Sequence, residues 1–276
     1  MTRDFHCGRF VLNVGRPLIM GIVNLTDDSF SGDGLRGVAA AAVAHGRRLI
    51  DEGADILDLG AESSRPGAQS ISARQEIERL LPVLEALRVC GTPLSVDTVK
   101  PEVMRVALAA GADMINDINA LRASGAMEIV AASQAAVCLM HMQGTPGSMQ
   151  DNPRYVDVVA EVAGFLAERV AAAEAAGIAL NRIAVDPGFG FGKTLEHNLE
   201  LLRRLDELMV PNLPLLVGLS RKSMLGKITG SAAPDRIHAG IAAHVLAVLR
   251  GARLVRVHDV AATRDALAVI NAVEEY

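Results

Sequence analysis

Asp97, Asn116 and Asp186 lie in three short apolar runs, Leu94 to Asp97, Met114 to Asp117 and Ile183 to Asp186, with apolar neighbours on the N-terminal side. Asp and Asn are poor strand residues and costly to bury unpaired, so three of them in such places ask for donors. A flat heterocycle with amino and ring N–H groups would supply them. A carboxylate accepts two parallel N–H bonds, while an amide offers both donors and an acceptor. The competing reading is helix capping, which Asp97, shortly before Thr98 and Pro101, could perform. Singly, capping is the better account; jointly, a ligand is.

A second set of residues is cationic. Glu62-Ser-Ser-Arg-Pro-Gly67 places Arg65 beside two hydroxyls, where its planar fork would suit a phosphate, although alone it could equally pair with Glu62. Gly218-Leu-Ser-Arg-Lys-Ser223 brings Arg221 and Lys222 to a strand end. Arg256 and His258, two apart on a strand, face the same side and can converge on one anion. Each cation alone reads as surface charge; together they signal an anion site.

Two loops complete the inventory. Asn24 to Gly34 is polar and carries Phe30, which reads as an ordinary solvated loop or a mobile lid. Asp186-Pro-Gly-Phe-Gly-Phe-Gly-Lys-Thr194 resembles a phosphate-binding loop, but Pro187 occupies the place of the required first glycine. Its glycines suggest instead a backbone that approaches a ligand closely, with Phe189 and Phe191 presenting rings.

These residues need elements that bring them to one rim. About eight short apolar runs, each ending in polar residues, recur along the chain: besides the three above they are Leu18 to Asn24, Asp55 to Gly60, Ala136 to His141, Leu215 to Arg221 and Leu254 to His258. Continuous apolar runs are the mark of buried parallel strands. Helix patterns lie between them, including Ser72 to Cys90, Pro101 to Ala110, Tyr155 to Ala176 and Pro234 to Arg250. Gly53, Gly111, Gly177 and Gly251 stand where helices would end in a left-handed cap. Strand then helix, repeated, predicts an α/β fold of the (β/α)8 TIM-barrel type with its chemistry at the C-terminal rim. Phe5 to Val14 predicts a short N-terminal β-hairpin across the barrel bottom. An open doubly wound sheet is the alternative, which evenly spread units disfavour.

Composition agrees with one barrel domain over residues 1–276. The chain is 50% hydrophobic but only 3% aromatic and lacks Trp, so its core must be aliphatic. A net charge of −5 argues against a general nucleic-acid surface and leaves room for a local basic pocket. Cys7, Cys90 and Cys138 form no Cys-x-x-Cys pair, as suits reduced thiols in a cytoplasmic protein. No apolar run reaches membrane-spanning length, so the expectation is a soluble chain with small-molecule partners.

Met20-Gly-Ile-Val-Asn-Leu-Thr, Glu62-Ser-Ser-Arg-Pro-Gly, Ser95-Val-Asp-Thr, Ile115-Asn-Asp-Ile, His141-Met-Gln-Gly, Asp186-Pro-Gly-Phe-Gly-Phe-Gly-Lys, Ser220-Arg-Lys-Ser and Arg256-Val-His-Asp, in this order, resemble the signatures of the dihydropteroate synthase family of pterin-binding barrels. The resemblance implies a barrel enzyme, commonly a homodimer and the target of sulfonamides. Its reaction would join 6-hydroxymethyl-7,8-dihydropterin diphosphate to para-aminobenzoate, giving 7,8-dihydropteroate and pyrophosphate for folate biosynthesis with the help of Mg²⁺. It implies that Asp97, Asn116, Asp186 and Lys222 hold the pterin, with Arg256 packing on its face. Arg65, Arg256 and His258 would hold the anion, and Asn24 would bind Mg²⁺ with the diphosphate. Ser64, Pro66, Phe30, Phe191 and Ser223 would frame the aminobenzoate. On this view Asp97, Asp186, Lys222, Arg256 and His258 form the catalytic set, and Arg65, Asn116 and Arg221 join the substrate-binding set.

Ser64 stands where Thr is frequent, which bears on inhibitor affinity; Asp27 and Gly32 replace a common Pro and Asp, which bears on loop closure. No Ser-His-Asp or Cys-His arrangement suggests covalent catalysis. The remaining groups favour ionisation: cations around departing pyrophosphate, Asp97 and Asp186 around a developing positive pterin, and loops that orient a weak amine nucleophile. The rim then divides into an acceptor sector (Asp97, Asn116, Asp186) and a donor sector (Arg65, Lys222, Arg256, His258). A methyltetrahydrofolate-dependent methyltransferase would explain the acceptors but not the cations. A noncatalytic pterin-binding paralogue would keep both.

Overall fold

Gly53, Gly111, Gly177 and Gly251 all adopt left-handed backbone, with φ of 106°, 98°, 95° and 100°; each closes a helix, three of them just before a strand and Gly177 before a 3-10 turn, Leu180–Arg182, that leads into one. The computed structural model describes residues 4–25, 34–63 and 70–274. Strands β1 (Asp4–Cys7) and β2 (Phe10–Asn13) form an antiparallel hairpin. Eight parallel strands follow: β3 (Leu18–Asn24), β4 (Ile56–Gly60), β5 (Leu94–Asp97), β6 (Met114–Asp117), β7 (Ala136–Met140), β8 (Ile183–Asp186), β9 (Leu215–Val217) and β10 (Ala252–Val257). They close into a barrel in which β10 pairs with both β9 and β3. Closure excludes the open sheet.

Among the described residues, helices α1 (Gly34–Glu52), α2 (Ala73–Leu87), α3 (Pro101–Ala109), α4 (Ala126–Ala131), α5 (Val158–Ala175), α6 (Leu195–Arg203), α7 (Ser223–Thr229), α8 (Ile237–Leu249) and α9 (Val260–Glu274) occupy the connections. Their apolar faces cover outward-facing strand residues such as Leu57, Val96, Ile115, Leu139, Val185 and Val255. None is long and apolar enough to cross a membrane.

Helix ends follow local chemistry. The Ser72 hydroxyl accepts from the Gln75 amide while the Gln75 side chain bonds back to Ser72, a capping box that starts α2 at Ala73. Residues Arg88–Cys90 continue as a 3-10 turn rather than as α-helix. The helix predicted from Tyr155 begins at Val158, because the Asp157 carboxylate accepts from the amides of Val159 and Ala160. The run predicted as strand from Leu215 to Arg221 stops at Val217, and Arg221 takes a φ of 58°.

Inside the barrel the alternation of side chains separates two layers. Leu18, Met20, Ile56, Met114, Ala136, Cys138, Ala184, Leu216 and Leu254 cluster with Phe5 and Cys7 of the hairpin into an apolar plug. One inward step further along the strands stand Asp58, Asn116, Asp186 and Arg256. The plug thus forms the floor beneath a polar rim.

Candidate active site

Asp97 does not cap α3. Lys100 occupies the N-cap position without a side-chain bond, and the Asp97 carboxylate turns instead toward β10, where Oδ2 accepts from Arg256 Nη2 at 2.9 Å. Arg256 Nε donates to Asp58 Oδ2 at 2.6 Å, and the same oxygen accepts from Asn116 Nδ2 at 3.1 Å. One guanidinium is therefore clamped between carboxylates of β4 and β5, with the amide of β6 tied to the same cluster. Because a carboxylate of Asp58 paired with Arg256 only accepts, Asn116 must turn its NH2 inward and its carbonyl oxygen away from Asp58. Asp58 Oδ1 is buried without a hydrogen-bond partner among the described residues.

Asp186 sits at the end of β8 with Oδ1 accepting from the Gly188 amide at 2.7 Å. Burial pushes its carboxyl up to about 6 against the opposing pull of that amide, Lys222 and Lys193. Asp97 is pushed further, to about 7, by burial that Arg256 only partly offsets and the charge of Asp58 reinforces. Burial also lowers Lys222 to about 8, with Asp186 resisting. The Lys222 ammonium lies 4.2 Å from the centre of the Phe191 ring, a cation–π contact. Phe191 packs with Ile118, Met140, Met142 and Met149 into an apolar pad beside the acceptors. An N–H-rich edge and an apolar face on one ligand would satisfy both surfaces.

The other cations are placed differently. His258 follows β10, its Nδ1 lying 3.0 Å from Ser220 Oγ, which also accepts from the His258 amide. Arg221 lies at the rim but pairs with Asp259, Nη2 to Oδ1 at 2.7 Å. Glu62 is engaged by Lys100, which also bonds Glu76 at 2.5 Å. Asn24 ends β3 half-buried, in register with Gly60, and Ser223 opens α7. Phe30, Ser64, Arg65 and Pro66 lie outside the described residues. The predicted separation of acceptors from donors does not hold for Arg256. Barrel closure puts β10 beside β3, and its long side chain crosses to Asp58 and Asp97.

A family profile described as pterin binding enzyme matches residues 20–258. A protein of Neisseria meningitidis serogroup C named dihydropteroate synthase is 52% identical over 268 residues, 95% of either chain. The chain belongs to the dihydropteroate synthase family of pterin-binding enzymes. Among solved structures, the dihydropteroate synthase of Xanthomonas albilineans with 4-aminobenzoic acid superposes with a TM-score of 0.94 at 51% identity, covering 100% of both chains. That of Burkholderia cenocepacia complexed with 7,8-dihydropteroate gives 0.90 at 48% identity, covering 99% of this chain and 96% of that one.

Within this dihydropteroate synthase framework, sequence reasoning passed over two buried residues that hold the site together. Asp58 lies in Ile56-Leu-Asp-Leu-Gly60, inside a run rather than at its end. The same argument that singled out Asp97 applied to it, and strand alternation would have turned it inward. Lys193 belongs to the glycine-rich loop after β8; it is 3% exposed and turns its ammonium onto protein atoms.

Proposed function

We infer that this chain is a dihydropteroate synthase, a transferase that condenses 6-hydroxymethyl-7,8-dihydropterin diphosphate with para-aminobenzoate to 7,8-dihydropteroate and pyrophosphate. The observation that carries this reading is the set of half-buried Asp97 and buried Asn116 and Asp186 at one rim, with Arg256 clamped by Asp97 and Asp58, beside the Lys222–Phe191 contact. A dihydropterin ring offers the N–H donors such acceptors require.

The residues support a dissociative substitution. The N–H groups of the ring favour the ionised carboxylates of Asp97 and Asp186, which in turn stabilise positive charge as the bond to the diphosphate lengthens. Arg256 has donors beyond the two already used, and with His258 and Arg65 it would meet the leaving anion. Lys222 would hold the pterin, and the apolar pad with Phe191 would align the aromatic amine, so that orientation replaces a strong base. Among the described residues no group of three His, Cys, Asp or Glu could hold a metal. Asn24 offers one hard oxygen at the rim, which fits Mg²⁺ because that ion keeps waters and substrate phosphates as its other ligands. When bound, Mg²⁺ would neutralise charge on the diphosphate.

We also propose a homodimer. Leu246 and Leu249 on α8 and Val269 and Val273 on α9 are 43–72% exposed, apolar surface that a second copy would cover.

Pyrophosphate release by the purified protein tests the activity. Release that requires Mg²⁺, the pterin diphosphate and para-aminobenzoate together is expected, and Asp186→Asn should reduce both turnover and pterin affinity. Binding of pterin without release would overturn the enzymatic reading. An unchanged Asp186→Asn variant would overturn that residue's role. Light scattering on the same preparation, giving a monomer at micromolar concentration, would remove the dimer.

A further inference from the structure

Lys193 carries a charge into the protein where no mechanism asks for one. Its Nζ lies 2.9 Å from His141 Nδ1 and 3.0 Å from each of the Gly188 and Phe191 carbonyl oxygens. An ammonium has three donors and no acceptor, so these partners match the protonated form. Burial lowers His141 to about 3, keeping its imidazole neutral and able to accept through Nδ1. Burial also draws Lys193 down to about 7, with Asp186 opposing and Lys222 adding to the fall. The number of acceptors argues that the proton stays.

The bond to His141 joins two loops, and the two carbonyl bonds close the second loop on itself around the ammonium. His141 follows β7, while Gly188 and Phe191 belong to the loop from Pro187 to Thr194. The loop fits closely there: a Cβ on Gly188 would run into the His141 carbonyl, and one on Gly192 into that of Gln143. Other contacts hold the loop at its edges, from Tyr155 Oη to the Gly192 carbonyl and from the Gly190 amide to Asn198 Oδ1, both 2.8 Å. Lys193 binds the carbonyl of Phe191 itself, and the Phe191 ring supports Lys222.

We propose that Lys193 is a positioning residue, an internal staple that fixes the loop from Pro187 to Thr194 on His141 and thereby sets the Phe191 ring for the aromatic amine substrate. The proposal deepens the functional reading above, on which its kinetic part rests. Without the staple, three buried acceptors lose their donor and the loop must loosen to rehydrate them. Asp97, Asn116 and Arg256 are held by other partners and keep their places, and of the pterin acceptors Asp186 alone touches the loop, through the Gly188 amide, so pterin binding falls less than binding of the amine.

Two measurements on the full chain test this. In the unliganded protein, Lys193→Met should speed amide hydrogen exchange in the segment 188–193 by about tenfold while the barrel strands keep their protection. This readout requires no activity, so it stands even if the functional reading fails. In steady-state kinetics, Lys193→Met should raise KM for para-aminobenzoate about tenfold, with KM for the pterin diphosphate within about threefold of the parent. Lys193→Gln, which keeps an N–H donor, should fall between the two. Unchanged exchange in the loop would overturn the proposal. So would faster exchange throughout the barrel, which marks a general structural role, or an equal rise in both KM values.

Discussion

Asp97 and Asp186, raised from 3.8 to about 7 and about 6 chiefly by burial, make the unliganded pocket sensitive to pH. Between 3.8 and those values the folded chain binds more protons than the unfolded chain, so these groups favour folding at low pH and their contribution is lost as pH rises. With these carboxylates as the proposed pterin acceptors, ligand binding would run the other way, because ring N–H donors prefer ionised carboxylates; pterin affinity should therefore increase as pH rises through 6 to 7. Lys222, lowered to about 8, loses its charge above that point and removes a donor. Together they predict a bell-shaped dependence of kcat/KM on pH, whose limbs belong to the coupled set rather than to single residues. A flat profile between about pH 5.5 and about pH 9 would count against these carboxylates as ligand acceptors. Asp97, Asn116 and Asp186 were legible because polar residues in apolar strands advertise a partner. Asp58 bears the same mark, but inside its run rather than at its end, where only strand alternation turns it toward the site. Lys193 gave no comparable signal, since its burial depends on a loop conformation that no periodicity encodes.

At the level of elements, the segments most readable were those where one residue decides the backbone. The four helix-ending glycines and the Pro101 start of α3 lie where local conformational preference placed them. The strand-to-helix connections were less so. β9 ends at Val217, and beyond it the Leu219 amide donates to His244 Nε2 while Arg221, at a φ of 58°, pairs with Asp259, both tertiary contacts. The loop after β8 shows how finely such a connection is fitted. Gly188 has a φ of 69° and its missing side chain leaves room for the His141 carbonyl, so Gly188→Ala combines backbone strain with a steric conflict. We expect a loss of about 1–3 kcal/mol in urea denaturation, accompanied by weaker substrate binding as the loop moves. Gly164→Ala is the control. Gly164 lies within α5 with open space around its Cβ position, so the change should be neutral or stabilise by up to about 1 kcal/mol. Equal behaviour of the two variants would show that the loop absorbs a Cβ without cost.

Across the whole molecule, stability and chemistry lie at opposite ends of the barrel. The hairpin closes the N-terminal end: Phe5 and Cys7 complete the apolar plug, and the Arg9 guanidinium takes both oxygens of Asp113 at 2.9 Å. Asp113 in turn accepts from the Leu94 amide, joining the hairpin to the starts of β5 and β6. The polar rim rests on the far side of this plug. Phe5 is 1% exposed, so Phe5→Ala should leave a cavity in the floor and cost about 3–5 kcal/mol of unfolding free energy. Close packing could carry that disturbance upward, since interiors transmit strain. Against this, Arg256, Asp97, Asn116 and Asp58 are tied to one another across the barrel, which should hold the rim while the floor relaxes. The variant should therefore unfold earlier yet keep kcat/KM within about twofold when assayed well below its transition. A fall in kcat/KM with the fold intact would mean that the plug sets the geometry of the acceptors, and that the two ends of the barrel act as one packed unit.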